Sequence, residues 1–362
     1  MSDSYWIHIT STTGVFGLAL SLSSNCVLLA MIVGKTSPVQ GAYKNILISF
    51  CWFTMFYSLV EGFLRPLIHI YDDTLFVMQR KWFDMSSRVS HFTTTMYCGC
   101  YAMSFVLFAL QFLYRYIATC KPQYVELFKG CRFLLWIIGA ICIALSWEMA
   151  AFFLFPQSER TQETFIHILR TSYDLDPYYM DYIPYRYFEN NNGVRKVITL
   201  NIVGIVQHVI IMSVSFGTLF YCAFNTYATI SRHKGMSAKT KELQMQLFRA
   251  LVVQATIPMI FMYCPLLFLY ACPLFDLQLG AIANYQTIMG QLYPGVDPFA
   301  VLFLISAYRR TLMKWICLRV SSRTSSVIND NSQNYDGVGG TTPRGDIRRQ
   351  KSSAVSAHVV NN

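Results

Sequence analysis

Long apolar runs alternate with short polar breaks along this chain, and seven of those runs approach or exceed the length needed to cross a bilayer. The clearest is 92–114, 23 positions without a Lys, Arg, Asp or Glu. At about 1.5 Å rise per residue such a run spans a hydrocarbon core of roughly 30 Å. It ends in Tyr114, Arg115 and Tyr116 and leaves through Lys121 and Pro122. A lone segment in lipid must satisfy its own backbone, so it is predicted to be a helix. The other runs are 4–34, closed by Lys35; 45–60, opened by Lys44; 133–155 after Arg132, interrupted by Glu148; 197–231; 250–275, with Pro258, Pro265 and Pro273; and 277–308, with Asp297 and Pro298 inside. The second is expected to continue as a helix through Glu61 and Arg65 to His69. The predicted fold is an all-α membrane protein, a seven-transmembrane helix bundle.

Charge sets the orientation. With the first residues outside, the inner loops and tail hold twenty Lys and Arg against eight in the outer loops, Arg65 being counted with its helix. Positive residues mark the cytoplasmic face, so the N-terminus is expected outside and the C-terminus inside. The expected organisation is an extracellular stretch 1–11, a membrane domain 12–308, a membrane-surface helix 309–320 and an unstructured cytoplasmic tail 321–362. In 309–317, Leu312, Trp315 and Ile316 fall on one helical face and the cations on the other. Cys317 is a candidate for lipidation there, or else a buried thiol. The tail is rich in Ser, Asn, Gly, Thr and charge, a composition that cannot bury enough to fold alone.

Composition agrees with the pattern. The chain is 54% hydrophobic and only 13% charged, where soluble domains carry about a quarter charged residues. The net charge of +10 lies mostly on the predicted inner side and fits an anionic leaflet; no nucleic-acid signature accompanies it. Most of the eleven cysteines sit inside apolar runs, and 156–196 contains none. No group of ligands at metal spacing is present, and no cofactor is implied. Motifs for zinc or serine hydrolysis are missing, so no enzyme is read here and no catalytic residue is assigned. The last run has no lysine for a retinal Schiff base.

Polar residues inside spans mark function or helix contacts. Glu61, Arg65 and His69 stand at i, i+4 and i+8, one helical face. They read either as the mouth of a cavity or as a structural Glu61–Arg65 ion pair, with His69 open as a ligand contact. Deeper candidates for a ligand site are Tyr97, Tyr101 and Ser104, then Gln207 and His208, then Tyr263, and finally Asn284 and Gln291. This inventory suits a neutral, weakly polar ligand better than an amine or phosphate.

An ordered series of motifs then carries a resemblance: GAYK at 41–44, VEGFLRPLIH at 60–69, FLYRYIATCKP at 112–122, ENNNGVR at 189–195, QLFRALVVQ at 246–254 and YPGVDP at 293–298. Together they resemble the nematode str-class serpentine chemoreceptors. That resemblance implies a G-protein-coupled olfactory receptor in the membrane of sensory cilia, binding a small volatile odorant and activating a heterotrimeric G protein. Tyr114, Arg115 and Tyr116 stand where rhodopsin-like receptors carry acid-Arg-Tyr, and Asp297 and Pro298 where they carry Asn-Pro. These five are the signalling candidates. The other readings are a ligand-gated channel or transporter subunit, and a receptor-like assembly partner without a ligand. Ligand identity and oligomeric state are left open.

Overall fold

In the computed structural model the described residues are 3–34, 41–82, 85–191, 194–232 and 237–315. Helix α1 covers Tyr5–Val33 and α2 covers Ala42–Leu64; strands β1 (Leu67–Tyr71) and β2 (Thr74–Arg80) follow. Next come α3 (Ser87–Cys120), α4 (Cys131–Phe153), the short α5 (Glu159–Ile168), β3 (Met180–Arg186) and a hairpin of β4 (Phe188–Asn191) and β5 (Val194–Val197). The chain closes with α6 (Thr199–Arg232), α7 (Ala238–Pro258), α8 (Cys264–Ala271) and α9 (Asn284–Leu304). Among the described residues, six helices are long and apolar enough to span a membrane, α7 and α8 counting as one. The seventh, α9, meets that test together with the helix Ser306–Trp315, which leaves it at 100°. Large side chains such as Leu135, Phe220 and Phe224 lie exposed on the outer faces, where lipid replaces water.

The bundle is held by close approaches and by bonds that replace missing ones. A Cβ on Gly17 would lie 2.2 Å from the Gln291 carbonyl oxygen, so α1 and α9 meet backbone to backbone. Pro298 has no N–H to give the Pro294 carbonyl one turn earlier. Asn25 Nδ2 supplies that bond from α1 at 2.9 Å. Pro258 likewise interrupts its helix, and the next turn, Met259–Tyr263, widens into a π-helix before α8.

The second run does not stay helical as far as His69. Arg65 adopts left-handed geometry at φ 48°, where it caps α2. Pro66 follows it and disfavours the α region at the residue before it. From Leu67 the chain is a strand, so His69 lies on β1 and shares no helical face with Glu61. Strands β1, β2 and β3 form an antiparallel sheet in which Ile68 faces Val77 and Val77 faces Ile183. Successive side chains point to opposite faces of a strand. One face carries Ile68, Ile70, Leu75, Val77, Ile183 and Tyr185 into the core of the bundle. The other carries Leu67, Phe76, Met78 and Tyr182 into a second core with Phe165, Ile168, Leu169 and Tyr173. The sheet thus roofs one end of the bundle, and α5 with the turn after it covers the sheet.

The helix from Ser306 is described to Trp315, within the segment read as a surface helix. Cys317 and the tail 321–362 lie outside the described residues.

Candidate ligand chamber

Beneath the sheet lies a chamber lined by Ile68, Leu75, Val77 and Tyr185 from the roof, Tyr97, Cys98 and Tyr101 from α3, and Trp147, Leu266, Tyr270 and Gln286 from the other helices. Positions 97, 98 and 101 share the face of α3 that the 3.6-residue period turns inward. The space left is about 30 Å³ for the centre of a water-sized sphere, room for about two waters.

The hydroxyls of Tyr101, Tyr185 and Tyr270 on the wall are committed to the protein. Tyr101 Oη donates to the Met262 carbonyl at 2.9 Å, which leaves it to accept from Gln286 Nε2 at 3.0 Å. That fixes the amide: the oxygen, Gln286 Oε1, is buried without a partner. His208 Nε2 faces the Trp147 carbonyl at 3.3 Å, and a carbonyl only accepts, so that nitrogen carries the proton. Nδ1 then accepts from Tyr270 Oη at 3.3 Å. The imidazole stacks on Trp147 with centroids 3.8 Å apart. No charged side chain lines the wall, so the site favours a compact, neutral molecule.

Of the residues singled out in the sequence, Tyr97 and Tyr101 line the chamber. His208 stands behind its Trp147–Tyr270 wall. Ser104 and Tyr263 bond each other at 2.8 Å, and the Tyr263 ring stands edge-on to Tyr101. Gln207 ties α6 to the Ser146 carbonyl of α4 at 3.0 Å and does not line the chamber. Gln291 is buried at the α1–α9 contact. His69 and Asn284 belong to the roof: Asn284 accepts from the Ile68 N–H at 2.9 Å and donates to Tyr173 Oη at 2.9 Å, while Tyr173 reaches His69 Nδ1 at 3.0 Å. Trp147, Tyr185, Tyr270 and Gln286 were not singled out.

The Glu61–Arg65 ion pair does not form. Glu61 turns into the bundle, where its Oε1 would lie 3.0 Å from a Cβ on Gly290, so a larger residue there would have to displace it. Arg65, beyond the helix end, lies over the Trp82 ring at 5.0 Å. The helical face that was to align the two ends one residue too early.

The signalling candidates sit towards the opposite end. Arg115 is buried, donates from Nη2 to the Gln244 carbonyl of α7 at 3.0 Å, and lies over the Tyr43 ring at 5.1 Å. Tyr114 stacks on Tyr43 at 5.6 Å, and Tyr116 meets Tyr221 edge-on. Asp297 accepts from Gln254 Nε2 at 2.6 Å. Pro298 opens the Pro294 carbonyl that Asn25 fills, and Asn25 Oδ1 accepts from Thr54 at 2.9 Å.

Residues 10–313 match the model of the family described as serpentine type 7TM GPCR chemoreceptor Str. The chain is 36% identical over 89% of its length to the serpentine receptor class r-10 of Caenorhabditis elegans, covering 95% of that protein. It is 26% identical to the G-protein coupled receptor str-217 of the same nematode, over 82% of this chain and 87% of that one. Among solved structures, squid rhodopsin aligns with a TM-score of 0.57 at 15% identity over 87% of each chain, which shows a shared fold.

Proposed function

The chain belongs to the Str family of serpentine seven-transmembrane chemoreceptors, and from that premise we propose that it is an olfactory receptor for a small, neutral, weakly polar volatile. The observation that carries the ligand class is the chamber itself: apolar and aromatic walls, one free amide oxygen at Gln286, and no charge. Its small free volume favours a ligand of few heavy atoms. The sheet end faces outside, as the excess of inner Lys and Arg requires, in the plasma membrane of sensory cilia.

Ligand binding shifts the balance between two helix packings through its differential affinity for them. Arg115, which bridges α3 to the Gln244 carbonyl, is the contact that must break when α7 moves to admit a heterotrimeric G protein. Cysteine lipidation at Cys317 would tether the helix that follows α9 to the inner leaflet.

Calcium imaging of transfected cells against volatile ketones, aldehydes, esters and pyrazines tests this reading. Leu266→Phe adds ring atoms to the chamber wall and is expected to abolish the response to any active compound at equal surface expression. An unchanged response would remove the chamber as the site. Arg115→Ala is expected to change G-protein signalling while leaving odorant binding in place.

A further inference from the structure

A second cavity, outside the roof, is distinct from the odorant chamber. We propose that it binds a small organic carboxylate, with the head group on Arg65 and Arg80 and the apolar part against Ile7, Leu67, Leu175 and Met180. The cavity holds about 350 Å³ and is bounded by the first turns of α1, the start of β1, the end of β2 and the segment that leads into β3. Leu67 and Met180 belong to the upper core, whereas Ile68 and Val77 face the chamber, so the sheet divides the two spaces.

Both guanidinium groups are set against one indole. Arg65 Cζ lies 5.0 Å and Arg80 Cζ 5.3 Å from the centroid of Trp82, which holds them within about 10 Å of each other. The indole is itself fixed, because its N–H donates to the Phe63 carbonyl and its ring stacks on Phe63 at 5.7 Å. The left-handed turn at Arg65 takes the chain off the axis of α2 and separates this side chain from Glu61. Two like charges within about 10 Å of each other raise the local positive potential, which an anion bound beside them would relieve. Neither arginine is in an ion pair with a described residue: the ion pairs among those residues join Lys129 to Glu126, Arg186 to Asp73 and Arg195 to Asp276. Arg65 Nε is also buried with no acceptor, although a buried donor normally has one.

Asp176 lines the same cavity, with Oδ1 already accepting the Tyr178 N–H at 2.9 Å. One acid against two fixed cations leaves the cavity net positive, and His8 on its wall adds a further donor. Guanidinium groups match a carboxylate in planar geometry. The apolar remainder of the wall suits a short hydrocarbon chain, where a bare inorganic anion would lose hydration without return.

The test uses the purified full-length chain in phosphatidylcholine nanodiscs, titrated with octanoate and with octanol as its uncharged match, and read by thermal shift. Octanoate is expected to stabilise the protein saturably and less so as salt rises. Arg80→Gln, at an exposed position, is expected to weaken octanoate about tenfold and to leave octanol unaffected. Its melting temperature without ligand checks that the fold is intact, and Arg80→Lys should fall between the two. The proposal is overturned if octanoate gives no shift, if Arg80→Gln keeps the original affinity, or if both ligands weaken together. It is also overturned if the arginine-dependent shift needs phosphatidylglycerol in the disc, which would assign the pair to lipid head groups.

Discussion

The roof of the chamber and the column of polar residues below it satisfy their polar atoms to different degrees. In the roof, Asn284 makes three hydrogen bonds, Gln79 bonds Ser90 and Thr93 through its amide nitrogen, and Gln157 holds Asp181 and Tyr182, while Gln79 Oε1 and Asp181 Oδ2 are buried without a partner among the described residues. Below it, the polar side-chain atoms of Gln111, Gln291 and Tyr293 are buried with no hydrogen-bond partner among the described residues, and Asp297 and Glu61 are buried acids with no described cation paired to them. A satisfied buried network rigidifies, whereas an under-satisfied one lowers the cost of rearranging. A better-bonded lid thus sits over a floor that costs less to repack, the asymmetry a receptor needs if a ligand is to move the far end of its helices.

Breaking the roof should therefore give the largest effect. Asn284→Ala leaves the Ile68 N–H without its acceptor and removes two further bonds, at a cost of about 3 kcal/mol and a clear drop in melting temperature. A change below about 1 kcal/mol would show that the lid is not held this way. His69 gives the roof a pH dependence. Burial lowers its pKa from the usual value near 6.5 to about 4, so the folded protein keeps a neutral ring that accepts from Tyr173. Between those values the unfolded chain binds the extra proton, so stability should fall as pH drops from about 6.5 towards 4, by at most about 1.4 kcal/mol per unit. Above that window the term should vanish. His69→Gln should flatten this limb in a thermal melt followed across pH.

The floor should respond in the opposite sense. Asp297→Asn keeps the oxygen that accepts from Gln254 and replaces a buried carboxyl group, with no cation beside it among the described residues, by an amide. It is expected to raise stability by about 1 kcal/mol while altering basal or odorant-evoked signalling. A loss of stability with signalling unchanged would mean that the column is a structural core and not the part that rearranges.

How far this was legible follows from which physical rule governs each residue. The spanning helices were legible because bilayer thickness fixes a length and lipid forbids charge; α6 hardly departs from its apolar run, and α3 contains its run and extends past it by five residues at the start and six at the end. Four of the eleven residues that line the chamber were not, because the sheet supplies them. Residues 60–71 carry polar groups at helical spacing, and only Pro66 with the alternation after it betrays the strand. Tyr185 lay in a loop read for cysteines and not for alternation. Trp147 and Tyr270 have the composition of lipid-facing residues; only packing turns them inward. Gln286, two residues from Asn284, takes its role from a bond to Tyr101 that no local pattern encodes.

The smallest expected effect sharpens the contrast from outside. Arg195 and Asp276 form a two-pronged pair at 2.9 and 2.6 Å that ties the β4–β5 hairpin to the turn after α8, and Arg195 also lies over the Phe188 ring. The attraction lowers the pKa of Asp276 and raises that of Arg195, so the charged forms persist over the working range. Both side chains are exposed, at 43% and 61%, and water and salt screen such a pair heavily. Arg195→Gln should leave the melting temperature unchanged within error, at low and high salt alike. If instead it destabilised the protein as much as Asn284→Ala, the roof would be held from its rim, and the buried network could no longer be what makes it rigid.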